Sequence, residues 1–337
     1  MNHTFIIAEM SANHGHHLQT ALDTINAAKE SGADAIKIQT YTADTITLNC
    51  DKPEFMADPE SLWKGYRLYD LYKKAYTPWE WHRTIFEAAR QVGIQCFSTP
   101  FDKTAVDLLE SLNNPIYKIA SFEITDIPLI EYVASKRKPI IMSTGIAMAS
   151  DIELALDTCH KQGNDDVTLL KCTSAYPALI EDANLLTIND MKERFGVKVG
   201  ISDHTMGGDV AIAAVVLGAT VVEKHFIIDR SIGGPDCEFS MNKEEFALMV
   251  RSIRNVEKAL GKVDYPMDPA KVKGRAFCRS LYVAENMKKN DIVTTQNVRS
   301  VRPGYGLHPK HLNECLGRHV KCDLEKGTPF NLDFLEK

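Results

Sequence analysis

Val197-Lys-Val-Gly-Ile201 is an apolar run that breaks at Ser202-Asp-His-Thr205, and Thr220-Val-Val-Glu-Lys-His225-Phe226 repeats the pattern after an apolar, helix-like segment over 209–218. Two strands therefore end in histidines. In a parallel sheet with helical crossovers, consecutive strand ends lie side by side at one face, so His204 and His225 are expected to reach a common point there. A lone strand-end histidine is more often an ordinary hydrogen-bonded residue. Its repetition on the neighbouring strand is what suggests a metal.

Working outward, apolar strand runs alternate with amphipathic helical segments over residues 5–260. Strands are expected at 5–8, 35–40, 95–98, 116–120, 139–143, 167–172, 197–201 and 220–224. Eight strands, each followed by a helix, predict an α/β fold of the (β/α)8 TIM-barrel type. Capping boxes are read at Thr77-Pro-Trp-Glu80, Ser150-Asp-Ile-Glu153 and Asn242-Lys-Glu-Glu245, and helix stops at Gly32, Gly93, Gly163, Gly196, Gly218 and Gly261. A doubly wound open sheet would usually carry a Gly-rich phosphate loop after its first strand. That position reads Glu9-Met-Ser-Ala-Asn-His-Gly15, without GxGxxG.

Residues 50–76, rich in aromatic and charged side chains, form an insertion after the second strand, and a long loop at this rim shapes a substrate site or a lid. The domain boundaries are placed at 1–261 for the barrel, 262–278 for a linker containing Pro266 and Pro269, and 279–337 for a small β-rich domain with strands near 280–283, 291–294 and 298–301.

The 337 residues are enough for a barrel of about 250 residues with a smaller domain. A net charge of -6 gives no field to attract nucleic acid or an anionic membrane, so any anion must be captured by local cations. The amino terminus, Met1-Asn-His-Thr-Phe5, lacks the pattern of a signal peptide, and no apolar run approaches the roughly 20 residues of a membrane span. The eight scattered cysteines include no CxxC pair, which favours reduced thiols in a cytoplasm.

Positions at the strand ends carry Glu9, Lys37, Gln39, Ser98, Thr99, Lys118, Ser121, Glu123, Ser143, Thr144, Lys171, Thr173, Ser202 to His204, and Glu223 to His225. Cations among many hydroxyls suit a small phosphorylated and carboxylated substrate. At an effective dielectric near 20, one ammonium about 4 Å from a unit charge contributes roughly 4 kcal/mol. Any one lysine is as readily explained by pairing with Glu9 or Glu223, whereas Lys37 and Lys118 together favour a ligand. His16 and His17 read as solvated surface, and Trp79, Trp81, His82 and Phe86 as core.

Assembled in order, these motifs resemble the sialic acid synthase family over nearly the whole chain. The resemblance rests on Ile7-Ala-Glu9 with Asn13-His14, Ile36-Lys-Ile-Gln39, Phe97-Ser-Thr-Pro-Phe101, Tyr117-Lys-Ile-Ala-Ser121, Ser143-Thr-Gly145 and Cys172-Thr-Ser174. It continues through Tyr176-Pro177, Ser202-Asp-His-Thr205, Glu223-Lys-His-Phe226 and Gly234-Pro-Asp236. Arg279-Ser-Leu281 and Val301-Arg-Pro-Gly304 resemble the antifreeze-like (SAF) domain of those enzymes. Within the family, Ile38-Gln-Thr-Tyr41, Leu68-Tyr-Asp-Leu-Tyr72, Ser121-Phe-Glu123 and Gly306-Leu-His-Pro309 look most like pseudaminic acid synthases. Ala175 departs from the asparagine often found there in N-acetylneuraminate synthases.

The resemblance implies condensation of phosphoenolpyruvate with an amino-sugar aldehyde. It implies that His204 and His225 hold a divalent metal, Mn²⁺ with Mg²⁺ or Co²⁺ as alternatives, that polarises the aldehyde oxygen. It assigns phosphoenolpyruvate to Lys37, Thr99, Lys118, Ser121, Ser143, Ser174 and Ser202. It assigns the sugar to Gln39, Tyr176, Asp236, Phe277 and Arg302, the last reaching across a domain-swapped homodimer. Glu9 and Glu123 are the two candidates for handling the attacking water. The expected sugar is 2,4-diacetamido-2,4,6-trideoxy-L-altrose, with N-acetylneuraminate or legionaminate synthesis as the alternative. A non-catalytic sugar-binding protein and a metal-dependent aldolase or isomerase are more distant ones.

Overall fold

The computed structural model describes residues 3–265 and 267–336; Met1, Asn2, Lys337 and the expected linker residue Pro266 lie outside the described residues. The chain divides into two compact units, Met1–Gly261 and Lys262–Lys337.

In the first unit, eight parallel strands close into a barrel: β1 (Phe5–Glu9), β2 (Ala35–Thr40), β3 (Gln95–Pro100), β4 (Tyr117–Ile119), β5 (Ile140–Ser143), β6 (Val167–Cys172), β7 (Lys198–Asp203) and β8 (Val221–His225). Closure comes from β1, which pairs with both β2 and β8. All eight expected strands are present, with ends displaced by no more than two residues.

Strand side chains alternate between the barrel interior and the helix layer. The inward set begins apolar: Ile7, Ala35, Phe97, Ile141, Leu170 and Val221 form a buried cluster of their own. Two residues further along each strand, the same face carries Glu9, Lys37, Thr99, Ser143, Cys172 and Glu223, all buried. A tightly packed apolar floor thus supports a polar layer at the carboxyl ends of the strands, the end at which barrels of this type place their chemistry. The outward set, including Ile6, Ile36, Ile38, Ile119, Leu169 and Ile201, packs beneath the helices. Lys171 departs from the expected rim cluster and instead donates to Thr173 Oγ1 (2.8 Å) and Asp182 O (3.4 Å).

The helix Lys243–Leu260 shows how local sequence sets an element. Asn242 accepts from Glu245 N, Glu245 reaches back to Asn242 N, and Phe246, Met249, Val250 and Ile253 form its buried stripe. The other two expected capping boxes are not formed. The helix Ala149–Lys161 starts before Ser150, because Asp151 already receives Met148 N. Thr77 turns its hydroxyl to His14 Nε2 at 3.3 Å, and a 3-10 turn, Trp79–Trp81, precedes the helix His82–Val92. All six predicted stop glycines have positive φ, and Gly93 and Gly196 close their helices in the left-handed region that a side chain would disfavour.

The insertion is folded rather than irregular. It contains the helix Leu68–Ala75 and a Met56–Arg67 bridge, and Trp63 donates its indole N–H to Pro235 O at 3.0 Å. His17 is exposed as expected, but His16 is half-buried against Tyr76 and Trp81, which corrects the solvated reading.

In the second unit β9 (Ser280–Val283) and β10 (Val298–Val301) pair antiparallel over a small core that includes Leu281, Val283, Met287, Val320 and Phe330. The expected strand at 291–294 is reduced to an isolated bridge from Ile292 to His319. Within the stretch expected to be linker lies a helix, Pro269–Arg275, capped by Asp268.

Candidate active site

Inside the mouth of the barrel, two lysines and two glutamates form a buried quartet. Lys37 Nζ lies 3.0 Å from Glu9 and 3.5 Å from Glu223, and Lys118 Nζ lies 3.8 Å from the same Glu223 oxygen. Hydroxyls surround the quartet: Thr99 at 3.2 Å from Lys37, Ser143 at 2.7 Å from Lys118, and Ser202, which donates to Glu223 at 3.1 Å. Burial and the neighbouring Glu223 push Glu9 above its ordinary pKa against the opposing pull of Lys37. Burial drives Lys118 down, assisted by Lys37 and opposed by Glu223. Each of the two lysines is thus paired with a buried carboxylate.

Beside the quartet, Ser174 donates to Ser121 at 2.9 Å. A Cβ at Gly145 would clash with both hydroxyls, so the glycine is what lets β5's loop approach them. The result is a hydroxyl-lined cradle next to two ammonium groups, suited to an oxyanion.

His204 and His225 meet as the sequence predicts, with ring centroids 5.3 Å apart and both residues buried. His204 Nδ1 faces Thr173 O at 2.9 Å, an arrangement that puts the proton on Nδ1 and leaves the Nε2 lone pair free. Burial above all, with the neighbouring His204 and Lys37 adding to it, holds His225 well below the ordinary histidine pKa. Its buried Nδ1 has no partner among the described residues. Two imidazoles with uncommitted nitrogens fit a divalent ion. No group of three or more metal-ligating side chains exists among the described residues, so a metal here would complete its shell with water or substrate. Cys172, not anticipated from the sequence, sits 3.8 Å from His204 Nδ1 and 3.9 Å from Ser174.

Aromatic side chains wall the mouth. Tyr176 lies over His204 (centroids 4.3 Å), Phe239 against His225 (4.8 Å), and Trp63 of the insertion against Tyr176 (5.7 Å). Gln39 donates to Glu9 (2.9 Å) and Ser11 (3.0 Å), and buried Asp236 accepts from Ala12 N at 3.3 Å. Glu123 differs from Glu9: its Oε2 is buried without a partner among the described residues, and burial, only partly offset by Lys118, raises its pKa to about 7.

The structure thus brings together Glu9, Lys37, Gln39, Thr99, Lys118, Ser143, Ser202 and Glu223 through direct contacts, with Ser121, Ser174, Tyr176 and both histidines alongside. Phe277 and Arg302 belong to the second unit, where both are exposed. Glu223 was legible only as a rim carboxylate, yet it is the pivot of both lysines; its spacing of two from His225 was the available signal. Trp63 and Phe239 carried none beyond their place in loops.

Comparison with known proteins places the chain in a family. The NeuB family model matches residues 24–265 and the SAF domain model residues 279–336. Pseudaminic acid synthase of Campylobacter jejuni subsp. jejuni serotype O:23/36 (strain 81-176) is 48% identical over 323 residues, covering 96% of this chain and 94% of that protein. N,N'-diacetyllegionaminic acid synthase of Legionella pneumophila subsp. pneumophila (strain Philadelphia 1) is 37% identical over 340 residues, with 98% and 94% covered. Among solved structures, N-acetylneuraminic acid synthetase from Leptospira borgpetersenii serovar Hardjo-bovis in complex with citrate superposes with a TM-score of 0.71 at 33% identity, over 81% of this chain and 90% of that one. The resemblance read from the motifs is therefore borne out: the chain belongs to the NeuB family and carries a SAF domain at its carboxyl-terminal end.

Proposed function

We propose that the chain catalyses condensation of phosphoenolpyruvate with 2,4-diacetamido-2,4,6-trideoxy-L-altrose, giving pseudaminic acid and phosphate. The observation that carries the reaction class is the lysine and hydroxyl cradle set beside two uncommitted imidazoles. The higher identity to a pseudaminic acid synthase than to a legionaminic one supports the choice of sugar.

In this reading Lys37 and Lys118, with Thr99, Ser121, Ser143, Ser174 and Ser202, bind the phosphate and carboxylate of phosphoenolpyruvate. Glu9 and Glu223 keep the two ammonium groups paired until that anion arrives. Gln39, Tyr176 and Asp236 orient the sugar so that its aldehyde carbon faces the enol carbon, which attacks it to form the new C–C bond. Water adds at the cationic C2 that this attack leaves, and the C2 hydroxyl becomes the keto group as the C2–O bond to phosphate breaks. One proton of the water passes to the new hydroxyl on the former aldehyde carbon, and the other leaves with phosphate. Glu123 takes the proton from that water, because it is poised near neutrality with a free oxygen, whereas Glu9 is engaged by Lys37 and Gln39. Held by His204 and His225, a divalent ion, Mn²⁺ or alternatively Mg²⁺ or Co²⁺, supplies a Lewis acid for the aldehyde oxygen. Arg302 and Phe277 act on the sugar in the barrel of a second copy, in a domain-swapped homodimer. The eight free cysteines suit a reducing cytoplasm, and no helix among the described residues is long and apolar enough to cross a membrane.

Phosphate release from phosphoenolpyruvate with Mn²⁺ tests the reading, comparing the altrose derivative with N-acetylmannosamine. Release with only the altrose derivative is expected. Release with only N-acetylmannosamine overturns the sugar and keeps the chemistry; release with neither overturns the synthase reading.

A further inference from the structure

The ladder between β7 and β8 ends at the pair Asp203 and Lys224, one residue short of each histidine. Strand alternation turns His204 and His225 into the barrel and Asp203 and Lys224 away from it. There the two meet as an ion pair of 2.6 Å with both side chains 1% exposed. Lys224 Nζ also donates to Thr205 O at 2.5 Å, and the other Asp203 oxygen accepts from Thr205 N at 2.9 Å and Thr205 Oγ1 at 2.8 Å. The residues on both sides of His204 are thereby tied to the residue preceding His225. Next door, Ala178 N donates to His204 O at 3.0 Å, which anchors the same turn to the loop carrying Tyr176.

A buried ion pair adds little net stability over well-packed apolar side chains of the same volume, so stability alone does not account for this one. What it adds is direction. Past the end of the ladder no strand hydrogen bond between β7 and β8 fixes the spacing of the two imidazoles, and the clamp supplies that constraint.

We infer that Asp203, Lys224 and Thr205 are positioning residues that set the separation and orientation of His204 and His225. The inference rests on the proposal that the two histidines hold a divalent ion.

The test uses the full-length chain and three variants, Thr205→Val, Asp203→Asn and the apolar pair Asp203→Leu with Lys224→Met. Mn²⁺ binding is followed by electron paramagnetic resonance, melting temperature by scanning calorimetry, and the His204 tautomer by ¹⁵N resonances of labelled histidine without metal. Loss of a partner bonded directly to a metal ligand commonly weakens binding about tenfold or more, and about tenfold is expected for a clamp that acts through the backbone on either side of the ligand. Asp203→Asn is expected to show that loss, with kcat reduced and the KM for phosphoenolpyruvate unchanged. Thr205→Val, which removes one hydroxyl and no charge, is expected to show a smaller loss in the same direction at an unchanged fold. The apolar pair is expected to recover the melting temperature but neither the Mn²⁺ affinity nor the single His204 tautomer. Full recovery of both in the apolar pair would show that Asp203 and Lys224 only fill space. Unchanged Mn²⁺ affinity and tautomer in Thr205→Val and in whichever charged-site variant folds would likewise overturn the inference. His204→Ala serves as the control: if it binds Mn²⁺ as the wild type does, the metal assignment fails, and the tautomer signal still decides on the clamp.

Discussion

Glu123→Gln separates the proposed proton carrier from its neighbours through an effect on stability that can be worked from the structure. Burial lifts the Glu123 carboxyl from 4.5 to about 7 against the pull of Lys118. At about 1.4 kcal/mol per tenfold change in the proton equilibrium, that difference corresponds to about 3 kcal/mol. The sign follows from which form the fold prefers. Between 4.5 and about 7 the folded state holds the proton and the unfolded state has released it, so the neutral group's advantage is complete below 4.5 and is lost as pH rises through about 7. Above that, the wild type keeps an ionised, desolvated carboxylate that the amide does not have. Glu123→Gln is therefore expected to match the wild type near pH 4.5 and to exceed it by about 3 kcal/mol at pH 8.5. All three tryptophans, Trp63, Trp79 and Trp81, lie in the barrel unit, so urea unfolding followed by their fluorescence reports that unit alone. Alongside, kcat should fall by about a hundredfold or more while phosphoenolpyruvate still binds. A stability difference that stays flat between pH 5 and 9 would refute the reasoning, because Glu123 would then ionise as an ordinary carboxylate.

Gly145→Ala should raise the KM for phosphoenolpyruvate by at least about tenfold, the equivalent of one lost hydrogen bond to a charged group, with an unchanged circular dichroism spectrum. Lys37→Met leaves Glu9 and Glu223 without their shared cation, so urea unfolding should show a loss of about 3 kcal/mol together with loss of phosphoenolpyruvate binding. Trp63→Ala should raise the KM for the sugar and leave that for phosphoenolpyruvate unchanged, as steady-state kinetics with either substrate varied will show. Mixing inactive His204→Ala and Arg302→Ala chains should restore activity if the second unit serves its partner's barrel; no restoration after subunit exchange would argue against the swap.

The fold was legible because a parallel barrel repeats one signal. Each of its strands is a short apolar run, and six glycine stops punctuate the helices between and after them, so small errors at the ends do not change the topology. The small second unit offered no such repetition, and the run at 291–294 failed as a strand because only Ile292 finds a bridging partner. At the site, residue types at strand ends sufficed for Lys37, Lys118 and the two histidines, since the direction of a strand residue follows from its parity. Parity also sorts Lys171 and Lys224 away from the mouth, and counting in twos from His225 would have identified Glu223 as inward. Loop residues have no such rule. The contact of Trp63 with Tyr176 depends on how the insertion folds back, and the proton affinity of Glu123 depends on burial, neither of which is written in local sequence.

The apolar floor beneath the polar layer has a kinetic meaning. Phe97 and Leu170, at 0% exposure, help stopper the barrel from below, so it is a blind tube and not a passage. Traffic through a blind tube is last in, first out. The reactant lodged against the floor must arrive before the one that covers it and stays captive while the second is in place. If the proposed two-reactant chemistry holds, an obligatory order of addition follows from the hydrocarbon that six of the eight strands turn inward, well away from any atom that reacts.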